Sequence, residues 1–491
     1  MKRVLVGAGV VAAIVAAAGI APSLSLLVAL TLVVSVALFV APKQALVAIG
    51  VFLLLQTVLV NLAGGLENPL GLTLHRLHEG FAVAAVLRIA YFLRAERGTG
   101  MRRWLWITAF FVAAGIVSGL VARVPLTTLA LGAFLALKFE IFFFLAWTIR
   151  WSERDCARIV RAALWLSPVF LASGLLMWLF PLSTQRLFRE GHGFDFVRGD
   201  FTAMNGILSH PGVFGWAMAV IGCYAVATLL SGESRQRAGA TTSLAASVLG
   251  ILGSLRRKPL IALPIVAVYA VLRFGRGRRR WAVLAAFMVL AGSSAWLVRD
   301  RIEAIYTNTL EYVDPTGPTA PRLLLYAVGG EIANDYFPLG AGFGRFGGYA
   351  SVIDYSPLYD RYGLSDVAGL TAEDPEWISD AYWPHVAAEA GWFGALAIAA
   401  LYLMLGHAVA KVAFAARDPA TKALALGAGL ALLEALAESV AGPVFEVTLF
   451  ALVVALPLGI TLSRVAATAD TVSAGIHEDD VVLPLPGEPV E

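Results

Sequence analysis

The sequence predicts an all-α polytopic membrane protein, and three observations carry that prediction. Of its 491 residues 59% are hydrophobic and only 14% charged, where a soluble domain carries about 25% charged residues. Apolar runs of about 17–25 residues, the length that crosses a hydrocarbon core as a helix, recur from end to end. A β-barrel would show short alternating segments instead. One polar stretch, residues 299–390, interrupts this pattern before the C-terminal tail.

The predicted spans lie near residues 4–20, 24–41, 45–62, 80–94, 104–122, 127–147, 161–180, 211–230, 239–255, 259–272, 281–298, 391–411, 420–440 and 444–463. Hydropathy thus gives about fourteen crossings. Residues 1–298 hold transmembrane helices 1–11, residues 299–390 form one large extracytoplasmic loop, and residues 391–463 hold helices 12–14. The first span has the basic start (Lys2, Arg3) and small-residue core of a signal peptide. A second span follows almost at once, so a retained helix is expected. The tail, residues 464–491, is acidic, contains proline and lacks a hydrophobic pattern; it reads as a disordered cytoplasmic segment.

The excess of Lys and Arg in cytoplasmic loops orients the bundle. With Lys2 and Arg3 inside, the segments Arg94–Arg103, Arg150–Arg161, Arg235–Arg237, Arg273–Arg280 and Lys411–Lys422 also fall inside, while 182–210 and 299–390 fall outside. One connection departs from the rule. Arg256-Arg257-Lys258 falls on the outer side. It reads either as an anion site at the outer surface, such as for a lipid diphosphate, or as an inner loop if 239–255 does not cross. Arg88, Lys138, Glu140, Glu434 and Glu438 lie within apolar segments, where ionisable groups face the bundle interior. Glu434 and Glu438 are four apart and share a helix face. Either a proton or cation relay, or ion pairs that fix packing, would explain them.

The chain has no Walker loop, no dinucleotide fingerprint, no HExxH and no CxxC pair. Its two cysteines, Cys156 and Cys223, give neither metal spacing nor a disulfide framework. No cofactor and no nucleic-acid partner are expected, and any group transfer is expected to be metal-independent. The cluster Pro338–Gly348 (PLGAGFGRFGG) does not follow a predicted strand, and reads as a tight turn that needs positive φ.

Three separated patches resemble the O-antigen ligase and polysaccharide polymerase family of bacterial envelopes. Asn205–Gly215 (NGILSHPGVFG) is similar to that family's G-x-F-x-H-P-N-x-x-G stretch, with Gly212 in place of the last Asn. Gly253–Leu263 (GSLRRKPLIAL) is similar to its S-R-x-x-x-L patch. In the loop, Arg322 followed by Pro338–Gly344 resembles R…P-x-x-G-x-G. Asp380-Ala381-Tyr382 with Glu389, Gly391 and Gly394 resembles H-N-x-Y-L…E-x-G-x-x-G. Asp380-Ala381 stands where ligase-like members have His-Asn, and looks more like the polymerase branch's D-S-x-Y. The patches run from about residue 198 to 411.

The resemblance implies a GT-C-like, multi-pass protein of the bacterial inner membrane, active on its periplasmic side. It implies a glycosyltransferase whose donor is a glycan on a polyprenyl diphosphate. The acceptor is a second lipid-linked repeat unit for a polymerase, or a lipid or protein hydroxyl for a ligase. Membrane lipids and polysaccharide export or chain-length regulator proteins are the partners it implies. A transporter of lipid-linked glycans is the competing class, although no internal repeat is evident.

The leaving diphosphate calls for cations aimed at its developing charge, and guanidinium groups hold phosphate oxygens bidentately. Arg256, Arg257, Lys258 and Arg322 are the candidates. A positioned base would help the acceptor hydroxyl. Asp380 is the first choice, with His385 and Glu389 behind it. His210, Arg198, Tyr382 and Trp383 are assigned to substrate binding. Plainer readings stand beside these. Arg322 would pair with Glu331 or Asp335, His210 and Asp380 would cap helices, and Glu389 would make a structural hydrogen bond. The loop aromatics Tyr349, Tyr355, Tyr359, Tyr362, Trp377, Tyr382 and Trp383 would stack on sugars, form a small core or sit at the interface.

Overall fold

A computed structural model describes residues 22–95, 99–188, 197–198, 201–208, 210–275 and 321–473, with isolated positions between 277 and 292. The predicted spans 4–20 and 281–298, residues 299–320 and, of the tail expected to be disordered from 464, residues 474–491 lie outside the described residues, apart from those isolated positions; residues 464–473 are helical, which corrects the expectation there.

The described chain is a helical bundle. Its elements are α1 (Pro22–Val40), α2 (Pro42–Leu62), α3 (Pro69–Ala95), α4 (Thr99–Val121), α5 (Leu126–Ala136), α6 (Lys138–Trp147), α7 (Glu153–Leu179) and α8 (Pro181–Phe188). A two-residue antiparallel pair, Val197–Arg198 with Phe201–Thr202, precedes α9 (Pro211–Ser231), α10 (Arg237–Gly253) and α11 (Arg257–Phe274). The polar segment contains α12 (Pro321–Asp335), α13 (Tyr349–Ile353) and α14 (Leu358–Arg361). The chain ends with α15 (Tyr382–Ala415), α16 (Pro419–Ser439), a short α17 (Thr448–Phe450), a π turn at Ala451–Ala455 and α18 (Leu456–Ser473).

Local chemistry explains many helix starts. Pro42, Pro211, Pro321 and Pro419 each open a helix, where the missing N–H costs nothing and φ is already set. Ser152 and Asp155 form a reciprocal cap on α7, and Asp418 accepts from the Thr421 N–H at 2.7 Å to start α16.

Among the described residues seven helices are long and apolar enough to cross a membrane, or eight with one bent pair. The segment 127–147, expected as a single span, is that pair: α5 and α6 meet at 55° around Leu137. α10 has 17 residues, and α11 carries Arg257, Lys258 and Arg273; neither is among the seven. α9 is the central helix and nearly all of it is buried, packed against α16, α10 and α11. Small residues allow this approach, as lipid offers no hydrophobic gain between helices: Gly427 lies against Tyr224, and Gly250 against Met218.

The packing sorts the connections into two ends. Gly215 lies against Ser254 and Pro259, and Gly222 against Ser247 and Leu263. α10 therefore runs antiparallel to α9, and α11 parallel to it. His210 and Arg256–Lys258 consequently share one end of the bundle. At the opposite end Lys43 pairs with Asp155 at 2.6 Å, Arg464 approaches Glu153 at 3.5 Å, Arg161 and Arg235 line one cavity, and Arg273 stacks on Phe414.

The polar segment has a core of its own, which includes Leu325, Ile332, Phe346, Leu358, Tyr359, Leu370 and Ile378. Tyr359 is fully buried, stacked between Phe346 and Tyr355. Tyr355 donates to the Leu370 carbonyl and Tyr362 to Asp335. These tyrosines hold the segment together, the second of the three roles open to them.

The glycine cluster is wedged into the bundle. Gly340, Gly342, Gly344 and Gly347 all have positive φ, as the sequence required. A Cβ on Gly342 would meet the Gly119 backbone at 2.3 Å, and one on Gly132 would meet Gly344 at 2.3 Å. Phe343 packs on Phe111. The N–H groups of Ala341 and Gly342 donate to the carbonyls of Ala388 and Glu389 at 2.8 and 2.9 Å. α15 breaks there, at Gly391 with φ 69°.

Candidate functional site

The starts of α9, α11 and α15 and the end of α16 lie together at one end of the bundle. Arg256 is the N-cap residue of α11. Its Nη2 lies 3.2 Å from Nε2 of His210, which is the N-cap of α9 and accepts from the Gly212 N–H through Nδ1 at 2.9 Å. The expected capping role of His210 is therefore present, together with a contact to Arg256. Burial, and then the charges of Arg256 and Lys258, push the imidazole down to about 3, so it is neutral near pH 7.

Lys258 is anchored. Its ammonium donates to the Ala441 carbonyl, lies 3.7 Å from Glu438 and sits over the Trp216 ring at 4.9 Å. It also feels the charges of Asp380, Arg322 and Arg256. Arg257 is the first residue of α11 and is half-buried.

Arg322, near the start of α12, forms an ion pair with Asp380, and its Nε donates to the Asp380 carbonyl at 3.2 Å. Both side chains stay about a quarter exposed, at 28% and 26%. Arg322 thus pairs with Asp380, not with Glu331 or Asp335. Asp380 is not a helix cap: the N-cap of α15 is Ala381. Glu376 lies close to Arg256, Asp380 and Asp374; burial and the two aspartates push its carboxyl above the usual range. The structure thus brings Arg256, Lys258, His210, Arg322 and Asp380, which sequence reasoning named separately, into one neighbourhood. Glu376 was missed, because an acid in a run with Glu373 and Asp374 carries no positional signal.

Other assignments change. His385 and Glu389 are 3% and 0% exposed. His385 Nε2 pairs with Glu446 at 2.8 Å, and its Nδ1 faces Glu389 at 3.4 Å and the Phe346 carbonyl at 3.0 Å. Glu389 accepts from the Phe346 N–H at 2.9 Å, and Glu446 from the Tyr349 N–H at 3.1 Å. A base must reach the acceptor hydroxyl, and these two are enclosed. They tie the glycine loop to α15 and replace the reserve-base role expected of them. Tyr382 is also corrected. It is fully buried, with its hydroxyl 3.2 Å from that of Tyr402 and its ring against Phe445, so it offers no face to a sugar. Trp383 is half-buried and donates to Ser439 at 2.9 Å. Arg198 lies in the first strand of the antiparallel pair.

The charges inside apolar helices divide. Arg88 donates to Thr148 Oγ1, to the Thr148 carbonyl and to the Leu38 carbonyl at 2.8, 3.0 and 2.7 Å, which fixes helix packing. Glu140 accepts from Tyr402 at 3.1 Å, and Lys138 lies over Phe134 at the bend between α5 and α6. Glu434 and Glu438 are fully buried, and Glu438 is the partner of Lys258.

A cavity of about 230 Å³ lies between α11, α15 and α16, lined by Tyr269, Tyr402, His407 and Leu436 among others. Another, of about 350 Å³, lies between α7 and α10. Neither is lined by Arg256, Arg322 or Asp380. Among the described residues no three His, Cys, Asp or Glu side chains converge to hold a metal ion. Cys156 and Cys223 are both free and buried.

The chain matches no family model and no curated protein.

Proposed function

We propose that the chain is an extracytoplasmic glycosyltransferase that polymerises polyprenyl-diphosphate-linked oligosaccharide repeat units into a surface polysaccharide. The observation that carries this reading is the convergence of Arg256 and the Arg322–Asp380 pair at the end of the bundle away from the other basic connections. If the richly basic end is cytoplasmic, as the loop-charge rule requires, the cluster faces outward. Guanidinium groups on that side are suited to a lipid diphosphate held at the membrane surface, whose oxygens they bind bidentately.

The acceptor hydroxyl attacks the anomeric carbon of the donor sugar. The carbon–oxygen bond to the diphosphate breaks, and the electron pair leaves with the diphosphate. Arg256 and Arg322 stabilise the charge that develops on it. Asp380 accepts the hydroxyl proton. Asp380, standing where ligase-like members have His-Asn, favours chain growth over single transfer.

The test is an assay of purified protein in detergent with a defined lipid-linked repeat unit. Growth into a ladder supports the polymerase. One transfer to a separate acceptor supports ligase-type chemistry. No transfer, with movement of the lipid-linked glycan across vesicles, supports a transporter. Cysteines introduced at Arg256 and Arg235 test the sidedness: only the first should react with an impermeant reagent added to the outside of intact cells.

A further inference from the structure

The cavity between α7 and α10 carries an inference independent of the chemistry at the opposite end of the bundle. It holds about 350 Å³, and one wall is Arg161, Leu164, Trp165 and Pro168. These lie three and four positions apart, so they form one stripe of α7. The facing wall includes Arg235 and Gln236, from the turn before α10, and Gly239 of α10 itself. The two helices touch where buried Ser167 donates to the Ser243 carbonyl at 2.8 Å. From there back to Arg161 is about 9 Å of helix, and along it the lining changes from apolar to cationic. Gly239 leaves the middle open, since a Cβ on it would meet nothing within 4 Å. Trp165 is 66% exposed, and an indole beside a basic helix end suits the membrane–water interface.

Among the described residues neither Arg161 nor Arg235 has an ion pair or hydrogen bond. The acids at this end are engaged elsewhere, Asp155 with Lys43 and Arg158 and Glu153 with Arg464, and Glu233 does not line the cavity. Two cations at the mouth with an apolar stripe behind them match an anionic headgroup followed by an acyl chain. The loop-charge rule assigns this end to the cytoplasmic leaflet, whose anionic lipids are drawn to basic pockets between helices. We infer that the cavity seats one anionic phospholipid of that leaflet, its phosphate between Arg161 and Arg235 and one acyl chain along Leu164, Trp165 and Pro168. The Gln236 side-chain oxygen is buried and accepts no hydrogen bond among the described residues; a headgroup hydroxyl, as in phosphatidylglycerol, can donate to it.

The test counts lipid bound to the full chain in detergent by native mass spectrometry, with phosphatidylglycerol, phosphatidylcholine of the same chains and glycerol phosphate as probes. The wild type should hold one phosphatidylglycerol in preference to the other two. The double variant Arg161→Gln/Arg235→Gln should bind it about thirtyfold more weakly. A control of equal charge change, Lys411→Gln/Arg417→Gln, alters exposed residues outside the cavity and should bind as the wild type does. Gly239→Leu fills the open space with a better helix former; it should unfold at the wild-type temperature and exclude the lipid. An equal loss in both double variants would reduce the effect to general surface charge and overturn the seat. Undiminished binding by Gly239→Leu would remove the acyl chain from the cavity. Phosphatidylcholine held as tightly as phosphatidylglycerol refutes recognition by the arginines, and glycerol phosphate held as tightly leaves a site for free anions in place of a lipid.

Discussion

Replacing Arg322 by Ala separates a functional role from a structural one, because the two predict different magnitudes. The ion pair with Asp380 is 28% and 26% exposed, so solvent screens it and its loss should cost about 0–1 kcal/mol of stability. The Nε bond to the Asp380 carbonyl adds about 1 kcal/mol. Loss of a donor aimed at a leaving diphosphate, in contrast, costs about 3–4 kcal/mol of barrier, roughly a hundred- to thousandfold in rate. Arg322→Ala should therefore unfold close to the wild-type temperature while its polymer ladder disappears from an assay with a defined lipid-linked repeat. Asp380→Asn should leave donor binding largely intact and lower turnover. The reasoning is refuted if Arg322→Ala makes polymer within a few-fold of wild type, or if its activity falls only in step with the folded fraction.

Other perturbations test the surrounding structure. Glu446→Ala leaves His385 buried without its 2.8 Å partner and should lower stability by about 3–5 kcal/mol, read as a large drop in unfolding temperature in detergent. His210 titrates at about 3 in the folded chain and near 6.5 unfolded. The unfolded state binds more protons between those values, so stability should be flat above pH 6.5 and decline as pH falls toward 3; denaturation midpoints for His210→Asn should lack that slope. Gly132→Ala drives a methyl into the Gly344 backbone at 2.3 Å and should abolish the monodisperse peak in size-exclusion chromatography, whereas Gly239→Ala, with open space around it, should not.

The membrane class was legible because hydropathy is summed over whole helices, and errors at single residues average out. The number of crossings was less so. α11 carries Arg257, Lys258 and Arg273, and the run 127–147 bends by 55° at Leu137, which one-dimensional hydropathy does not register. Arg322 and Asp380 were nominated one by one, and their pairing across 58 positions could not be read from spacing. His385, Glu389 and Tyr382 misled for a physical reason. A polar side chain near a helix start looks the same in sequence whether it faces an open surface or closes a buried network with a distant Glu446. The need for positive φ in the glycine cluster was readable, because few other residues adopt it; what the loop packs against was not.

The wedge formed by that cluster has a consequence for chimeric proteins. Gly342 abuts Gly119, Gly344 abuts Gly132 and Thr128, and Gly340 abuts Gly391, main chain against main chain. A replacement segment from a distant homologue would fit only if α4, α5 and the break in α15 travelled with it. The polar segment is in that sense not a detachable cassette, and a swap of it would have to exchange its helical socket as well.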